Sequence, residues 1–395
     1  MKIAIQAADL DNDRIDGTRI YLLNLLRHFG KISPDDEFLI YHRKNFNPEL
    51  TPPELGNYKI KKADFPFLWT QTRFAWEIWK DNPGALWMPM HNLPAVKRNN
   101  LKTIVTIHDL AFKYFPGHFP KKDLFKLNFL AGQAIKNADK IIAVSQSTKK
   151  DILKFYPKIK EEKIKVIYHG FDAELFHRQF PKEKTNNILT SYKISAQGGP
   201  ASGWQTTCLA GRQANYILYV GAIQPRKNLE TLIKAFELYK KGLRIKNYEL
   251  RDLKLVLAGG KAWMWGSTIE KIKKSPFKKD IILTGKTSFE DLAVLYKNAG
   301  IFIFPSLYEG FGIPILEAFA SGVPVICARN SSLSEVGGKA AEYFKGSDAE
   351  ELCGKIEKVL SDKELRNSMV VKGKKQIEKF SWEKCARETL EWIKK

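Results

Sequence analysis

The chain has 395 residues, of which 44% are hydrophobic and 12% aromatic. This composition supplies enough apolar surface for packed cores and excludes wholesale disorder. At a typical size of about 150 residues per domain, the length predicts two or three domains and argues against a bare binding module. Lys and Arg number 65 against 43 Asp and Glu, so the formal net charge is +22, which favours an anionic partner such as nucleic acid or a membrane surface.

The basic residues are spread along the whole chain and are mixed with Glu, and no finger or RNP-like aromatic signature accompanies them. We therefore expect no nucleic acid partner, whereas peripheral contact with an anionic membrane remains an expectation. The first residues run into a polar segment instead of an apolar signal sequence, and no run approaches the roughly 18 apolar residues of a membrane span. Four widely separated cysteines indicate neither a disulfide framework nor a zinc site. These features predict a cytoplasmic protein. If it contacts the membrane, we expect that contact at the inner face.

Short apolar runs alternate with amphipathic helical segments almost from end to end, which predicts an α/β chain with parallel sheets. The predicted strands of the first half are 2–7, 38–41, 85–88, 103–107, 140–144 and 165–168. The predicted helices of that half are 20–29, 123–136 and 148–155. A second series of strands follows at 216–220, 253–258, 280–283, 301–304 and 323–327. The pattern predicts two doubly wound halves.

The stretch 182–212 contains paired Asn and Gly residues without a sustained period, so it reads as an exposed, mobile connector. The predicted domains are residues 1–185 and 213–375, joined by a connector over 186–212. A C-terminal helix over 376–395 is predicted to pack back on the first domain. Two Rossmann-like domains that face each other form a central cleft at the carboxyl ends of their strands, where open α/β sheets bind ligands. Function is therefore expected in the strand-to-helix turns.

One such turn follows the predicted strand at 301–304 and carries Glu309, Gly310 and Gly312 before a helix with Pro314 near its start. The glycines allow a ligand to approach the backbone, and free N–H groups at a helix start bind anions. Glu317 is predicted in the first turn of that helix. This arrangement suits a nucleoside diphosphate sugar, although Glu317 complementing the helix dipole and Glu309 lying on the surface explain it equally well.

A second turn, 220–228, follows the first strand of the second half. Arg226 and Lys227 stand at a helix start, where the dipole disfavours cations, so an anion there would compensate them. A diphosphate would meet Arg226 as a planar fork and Lys227 as a point charge. The alternative is that both side chains are simply solvated.

Taken together, Gly221 with residues 225–228, Glu309 to Gly312 with Glu317, and the intervening segments 257–260 and 284–286 resemble the retaining GT-B glycosyltransferases of family four. The resemblance lies close to the bacterial mannosyltransferase branch and covers nearly all of the chain. It implies the GT-B fold, in which two Rossmann-like domains face a central cleft. It also implies a nucleotide-diphosphate sugar as donor, with GDP-mannose favoured, and neither a cofactor nor a metal.

The resemblance further implies roles for individual residues. Glu317 would bind the ribose hydroxyls, Glu309 would sit near the donor sugar, and Arg226 with Lys227 would neutralise the leaving diphosphate. Residues 284–287 would flank the base. The backbone N–H groups of Phe311, Gly312 and Ile313 would meet sugar and phosphate oxygens. The other predicted donor-binding positions in these turns are Gly221, Lys286, Thr287, Gly310 and Leu316.

In the first half, His108 and Asp109 end a buried strand at its carboxyl tip. A histidine held by its neighbouring aspartate is the structural alternative, but in similar glycosyltransferases the equivalent histidine lies against the donor sugar. Gly17 follows the first strand and resembles the glycine loop that lies between acceptor and donor phosphate. That family often has more than one glycine at this turn.

Two other segments have simpler interpretations. The acidic run 9–13 lacks the glycine and glutamate spacing of a calcium loop, so it reads as a solvated loop. The aromatic stretch 65–80 is predicted to place Trp69, Arg73, Trp76 and Lys80 on one helical face. Such a face either contacts a membrane interface or packs on a core.

The resulting hypothesis is a retaining, metal-independent hexosyltransferase that moves mannose to a glycan or lipid-linked glycan. The enzymatic alternatives on the same architecture are a nucleotide-sugar epimerase and a sugar-phosphate synthase. A non-catalytic basic scaffold on membrane or RNA is the alternative from a different class.

Overall fold

The computed structural model describes residues 1–194, 216–246 and 253–395, and the chain divides into two compact units. The first unit comprises Met1–Gly170 with Phe380–Lys395, and the second comprises Phe171–Lys379. The sequence placed the corresponding boundaries at 185 and 375. The Gly-rich part of the predicted connector lies outside the described residues.

Seven strands of the first unit pair in parallel. They are β1 (Lys2–Gln6), β2 (Glu37–His42), β3 (Tyr58–Lys62), β4 (Ala85–Met88), β5 (Lys102–Ile107), β6 (Lys140–Ala143) and β7 (Ile164–Val166). Their order in the sheet is β3-β2-β1-β4-β5-β6-β7. The winding direction therefore reverses between β1 and β4, which is the doubly wound arrangement predicted from the alternating pattern.

Helices connect these strands and bury one apolar side each. The helices of the first unit are α1 (Gly17–Ile32), α2 (Arg73–Asp81), α3 (Ala111–Tyr114), α4 (Lys121–Asn137), α5 (Gln146–Phe155) and the C-terminal α15 (Trp382–Lys394). Short 3-10 helices lie at Ala8–Asp11, Pro48–Leu50, Pro116–His118 and Glu161–Lys163. Helix α1 begins where the Asp16 side chain accepts a hydrogen bond from the Arg19 N–H, which satisfies a free amide of the first turn. Helix α15 packs against α1.

The second unit has a six-stranded parallel sheet in the same style. Its strands are β8 (Tyr216–Val220), β9 (Lys254–Ala258), β10 (Ile281–Gly285), β11 (Ile301–Phe304), β12 (Val325–Ala328) and β13 (Ala341–Phe344). Their order is β10-β9-β8-β11-β12-β13, so the reversal falls between β8 and β11. In open α/β sheets the crevice at such a reversal is where ligands bind.

The helices of the second unit complete its layers. They are α6 (Ala173–His177), α7 (Lys182–Ser191), α8 (Leu229–Lys246), α9 (Gly266–Lys274), α10 (Phe289–Asn298), α11 (Ile313–Ala320), α12 (Leu333–Gly337), α13 (Ala349–Ser361) and α14 (Lys363–Ile377). Short 3-10 helices lie at Pro225–Lys227 and Lys278–Asp280. Two of these helices bear directly on the candidate site, because α8 follows β8 and α11 follows β11.

Residues 182–191, predicted as part of an exposed connector without a sustained period, are mostly exposed but helical. They form α7, which begins after Pro181 and buries Leu189. The hydroxyl of Tyr192, just after α7, donates a 2.7 Å hydrogen bond to Asp291 in α10. One buried leucine and a polar contact beyond the helix end hold the segment in place. A single apolar position gives no helical hydrophobic period, so the sequence pattern did not indicate this helix.

Two predictions about the first unit also need correction. Helix α2 begins at Arg73, so Trp69 precedes it, is buried, and donates from its indole N–H to the carbonyl of Ala63 at 2.5 Å. The acidic run is not simply a solvated loop. Asp11 accepts hydrogen bonds from the N–H groups of Arg43 and Lys44 at 2.8 and 2.6 Å, so its carboxylate fixes the chain that follows β2.

Candidate active site

The turns that follow β8 and β11 are tied together by hydrogen bonds, because these strands are neighbours in the sheet. The N–H of Leu307 donates to the carbonyl of Arg226 at 2.9 Å. Asn228 adopts a left-handed backbone with φ of 56°, and its side-chain amide donates to the carbonyls of Pro305, at 3.1 Å, and Gly346. The two turns therefore form one surface at the reversal point. Asn228 was part of the recognised pattern, but its bracing role was not predicted.

Three charged side chains converge on this surface. The Nζ of Lys227 lies 2.5 Å from Oε1 of Glu309, and a guanidinium nitrogen of Arg226 lies 3.2 Å from Oε2 of the same carboxylate. Each side chain is only 11 or 12% exposed, so the alternative that these cations are merely solvated is excluded. Arg226 also donates to the carbonyl of Tyr308. Sequence reasoning singled out all three residues but did not predict that Glu309 would pair with both cations.

Electrostatics keep the Glu309 carboxylate ionised. Burial acts to raise the pKa of Glu309, but the charges of Lys227 and Arg226 outweigh burial and lower this pKa to about 2. The ammonium of Lys227 also lies 5.3 Å from the ring centroid of Phe304, within the range of a cation–π contact. The three charged side chains together carry a formal charge of +1.

The loop from Glu309 to Gly312 is held by two serines that sequence reasoning missed. The N–H of Glu309 donates to the Ser331 hydroxyl at 3.0 Å. The Ser332 hydroxyl donates to the carbonyls of Glu309 and Phe311 at 2.9 and 2.6 Å. The serines follow β12, the next strand of the sheet. Their position as polar residues directly after a strand could have identified them from the sequence.

The predicted glycine loop leads into α11. Gly312 caps that helix with φ of 122°, a conformation that favours glycine. Gly310, Phe311 and Leu316 are buried, and Ile313 is partly exposed at the first position of the helix. The helix ends at Ala320, two residues before Gly322.

Glu317 is the fifth residue of α11, so its predicted place in the first turn is wrong. Its carboxylate accepts a 2.9 Å hydrogen bond from the hydroxyl of Tyr296 in α10. Burial raises the pKa of Glu317 to about 7, although the hydrogen bond from Tyr296 acts to lower it, and the charge of Asp172 adds to the rise. Tyr296 was not predicted, because a helix register alone does not show which tyrosine of α10 meets α11.

An aromatic row connects the two carboxylates within the second unit. Ring centroids are 6.3 Å apart for Tyr219 and Phe304, 5.8 Å for Phe304 and Phe302, and 5.3 Å for Phe302 and Tyr296. One end of the row lies near Glu309, whose charge acts on Tyr219, and the other end binds Glu317. These buried rings form a closely packed apolar layer between the two carboxylates.

The turn after β9 meets the turn after β10. The N–H of Gly259 donates to the carbonyl of Gly285 at 3.0 Å, and Lys286 follows with an exposed side chain while Thr287 is partly exposed. Gly221, after β8, has φ of 147° and its carbonyl lies close to Gly259. The strand-end turns at β8, β9 and β10 thus adjoin one another.

The other predicted residues belong to the first unit. Gly17 is exposed at the first position of α1. His108 follows β5, and its Nε2 lies 2.8 Å from the carbonyl of Pro89. Because a carbonyl only accepts, Nε2 carries the proton in the neutral ring. The alternative that Asp109 holds this histidine is wrong, since Asp109 instead accepts from the N–H of Ala111 at 3.0 Å.

Two further histidines surround His108. The His169 ring is centred 5.5 Å from that of His108, and Tyr21 lies 5.1 and 4.6 Å from the rings of His108 and His169. Burial lowers the pKa of all three histidines, to about 4 for His91. His91 and His169 follow β4 and β7, and their positions after strand ends were the signal that sequence reasoning overlooked.

Across residues 1–194, 216–246 and 253–395, no group of three His, Cys, Asp or Glu side chains has the arrangement of a metal site. In that same part of the chain, no helix combines the length and the apolar character that a membrane span requires.

Family models match most of the chain. Residues 16–175 match the model described as Glycosyltransferase Family 4, and residues 209–376 match the one described as Glycosyl transferases group 1. The chain belongs to this glycosyltransferase family. The resemblance stated from its motifs is thereby confirmed.

Three known proteins show how far the similarity extends. The chain is 28% identical to O-antigen chain mannosyltransferase B of Escherichia coli, over 95% of each protein. It is 27% identical to O-antigen chain mannosyltransferase RfbU of Salmonella typhimurium, over 65% of this chain and 60% of that protein. The structure of Anabaena HepE in complex with UDP-glucose matches with a TM-score of 0.72 at 15% identity, over 99% of each chain. The GT-B fold prediction is confirmed.

Proposed function

We propose that this glycosyltransferase moves mannose from GDP-mannose to a hydroxyl of a glycan or lipid-linked glycan, with retention of anomeric configuration. The observation that carries this proposal is the convergence of Arg226 and Lys227 on Glu309 at the sheet reversal. The choice of mannose rests on the names of the two O-antigen mannosyltransferases to which the chain is similar.

The diphosphate of the donor binds the two cations. Lys227 contributes a compact charge and Arg226 a planar set of donors, which suits phosphate oxygens. The backbone N–H groups of Phe311, Gly312 and Ile313 add donors at the start of α11, where the helix dipole favours negative charge. These groups replace a metal ion as the source of positive charge.

Glu309 keeps the two cations together. Its carboxylate pairs with both side chains at once, so they stay close despite their mutual repulsion. When the donor binds, the diphosphate shares these cations with Glu309, whose carboxylate then lies beside the hexose. Gly221 is partly exposed, so the donor can approach its backbone, whereas Gly310 is buried.

The nucleoside binds further along α11. Glu317 accepts hydrogen bonds from the ribose hydroxyls, and Tyr296 holds that carboxylate in place. Lys286 and Thr287 flank the base, whereas the predicted donor-binding residue Leu316 is fully buried and offers no surface to the nucleoside. The family resemblance assigns His108 to the donor sugar and Gly17 to the acceptor and the donor phosphate.

The transfer itself breaks the bond between the anomeric carbon of the hexose and the β-phosphate oxygen. The bonding electron pair leaves with the phosphate, whose added charge Arg226 and Lys227 stabilise. The acceptor oxygen bonds to the anomeric carbon on the same face, and its proton passes to the leaving phosphate. The products are the extended glycan and a nucleoside diphosphate.

The test is a panel of nucleotide sugars with the full-length protein. GDP-mannose at 100 times its Kd should stabilise the fold by about 2.7 kcal/mol, more than equal concentrations of UDP-glucose or UDP-galactose. Incubation with a mannose-terminated acceptor should release GDP and give an α-linked product by NMR. Stabilisation by a UDP-sugar alone would contradict the choice of donor.

The products also separate the alternatives left open by the sequence. A free sugar epimer would support an epimerase, and a sugar phosphate would support a synthase. An inverted product linkage would refute retention, and activity that requires added divalent metal would refute metal independence. We also propose that the protein contacts an anionic membrane peripherally, because its net charge is +22 and lipid-linked acceptors lie there.

A further inference from the structure

The turn after β12 contains a residue with a strained backbone beside the candidate site. Ser331 has a φ of 41°, in the left-handed region that favours glycine. Asparagine also takes this conformation, as Asn228 does in the turn after β8, but serine does so rarely. Strain of this kind persists only where the surrounding contacts enforce it. The contacts of Ser331 therefore indicate what the strained conformation achieves.

The hydroxyl of Ser331 takes part in two hydrogen bonds. It accepts from the N–H of Glu309 at 3.0 Å and donates to the side-chain oxygen of Asn330 at 3.0 Å. The side-chain amide of Asn330 donates in turn to the carbonyl of Ser306 at 2.9 Å. Ser306 and Glu309 both belong to the loop that follows β11, so this relay is attached to the loop at two points. The direction of the Ser331 hydroxyl is therefore fixed.

The bond to Glu309 holds a peptide group that also binds Arg226. The N–H of Glu309 and the carbonyl of Tyr308 belong to the same planar trans peptide, so they point in opposite directions. Ser331 binds the N–H, and the carbonyl accepts a hydrogen bond from a guanidinium nitrogen of Arg226. One peptide group is thus held on both edges, by Ser331 on one side and by Arg226 on the other.

Arg226 depends on this segment for its orientation. Its guanidinium contacts the Tyr308 carbonyl and lies 3.2 Å from the carboxylate of Glu309. Its own carbonyl accepts from the N–H of Leu307 at 2.9 Å. The planar guanidinium forms directional hydrogen bonds, so these contacts set the plane in which it lies. A rotation of the 308–309 peptide would displace both side-chain contacts together.

We propose that Ser331 is a positioning residue for the transfer reaction. It acts through the 308–309 peptide and holds the guanidinium of Arg226 in the orientation that stabilises the leaving diphosphate. The inference rests on the role of Arg226 in the proposed function and adds a residue that supports this role. Fixed charges stabilise a transition state best when they need no reorganisation during the reaction. Loosening the peptide should therefore slow transfer although Arg226 itself is unchanged.

The decisive variant is Ser331→Gly in the full-length protein. Glycine adopts the left-handed conformation without strain, so this variant loses only the hydroxyl. It should lower kcat for release of nucleoside diphosphate about tenfold, with little change in KM. Ser331→Ala loses the same hydroxyl but keeps the strain, so it should show the same fall in kcat and melt about 2 °C or more below Ser331→Gly. Equal losses of activity at unequal stability do not arise from unfolding.

A double-mutant cycle tests whether Ser331 acts through Arg226. In the Arg226→Ala background, Ser331→Gly should lower kcat less than about twofold, because the group that Ser331 orients is gone. A further tenfold loss in this background would overturn the inference while leaving the role of Arg226 intact. Wild-type kcat in Arg226→Ala would instead refute the proposed role of Arg226, and the inference with it.

Lys193→Gly is the matched control, because Lys193 is exposed in the same unit and also has a left-handed backbone, with φ of 58°. This change should relieve strain, raise the melting temperature and leave kcat unchanged. A crystal structure of Ser331→Gly adds a readout that does not depend on activity. The hydrogen bond between Arg226 and the Tyr308 carbonyl should be longer or absent. An unchanged hydrogen bond, or wild-type kcat in Ser331→Gly, would overturn the inference.

Discussion

The ammonium of Lys227 and the carboxylate of Glu309 are in contact although 82 residues separate them in the chain. They meet because β8 and β11 are adjacent parallel strands, so the turns at their carboxyl ends share one edge of the sheet. Arg226 binds the second oxygen of the same carboxylate. One acidic side chain thus organises two basic ones at the point where the sheet reverses direction.

Removing either cation should impair transfer. Arg226→Ala and Lys227→Ala should each lower kcat by about 10² or more, because charge on the leaving phosphate then lacks a fixed partner. Steady-state release of nucleoside diphosphate measures the effect. Lys234→Ala is the control, since Lys234 lies on α8 and forms an exposed pair with Glu350. Near-normal turnover of both site variants would contradict the mechanism.

Donor binding should depend on pH through Glu317. Its pKa of about 7 means that the carboxylate is largely protonated below pH 6 and ionised above pH 8. Ribose hydroxyls donate more strongly to the ionised form, so nucleoside diphosphate affinity should rise across this range. Tyr296→Phe removes a hydrogen bond that favours the ionised form and should move the midpoint to higher pH.

Calorimetric Kd values between pH 5.5 and 8.5 test this dependence. Glu317→Gln should flatten the profile around pH 7. Tyr239→Phe is a matched control, because Tyr239 is also buried in the second unit but its neighbours are Glu357 and Cys353. A midpoint that shifts equally in both tyrosine variants would show that Tyr296 does not act through Glu317.

The close approach of two strand-end turns should make Gly259 intolerant of a side chain. Its φ is +146°, and a Cβ there would lie 2.2 Å from the carbonyl oxygen of Gly221. Gly259→Ala should therefore lower the free energy of unfolding by about 2 kcal/mol or more. Gly354→Ala, in open space on α13, should raise it by up to about 1 kcal/mol. Denaturant titration compares the two, and equal effects would refute the clash.

The histidines of the first unit should make its stability sensitive to acid. Burial holds the pKa of His169 well below its ordinary value, with the His108 charge adding to this effect. The unfolded chain therefore binds a proton that the folded chain does not, so stability is full above about pH 6.5 and falls below it. His169→Asn should reduce the loss by up to about 1.4 kcal/mol per pH unit between pH 6 and 5. Urea titrations at several pH values give the free energy of unfolding. If this free energy falls as steeply with decreasing pH in His169→Asn as in the wild type, the expectation is contradicted.

Much of the fold was predictable because the central strands are buried, β-branched runs whose pattern is strong. The strands β3 and β13 were missed for a physical reason. Both lie at sheet edges, and β3 carries Lys59, Lys61 and Lys62, so its composition is that of a solvated segment. Charged edge strands are common because they discourage pairing with other chains.

The site was predictable at the level of turns and less so at the level of contacts. Glycines, prolines and charges at strand ends indicated where Arg226, Lys227, Glu309 and Glu317 would lie. Their pairing partners depended on which strands are neighbours and on the register of α10 against α11, as the contact of Tyr296 shows. The spacing of residues along the chain shows neither which strands are neighbours nor how α10 is aligned with α11.

The first unit takes its last helix from the far end of the chain, since Phe380–Lys395 belongs with Met1–Gly170. During synthesis on the ribosome, the second unit is continuous and is available for folding before α15 emerges. Until translation reaches these residues, the side of α1 that α15 covers in the folded protein stays exposed. A nascent chain arrested before α15 should therefore expose apolar surface to chaperones, and cutting the gene at residue 170 would not yield an independently complete half.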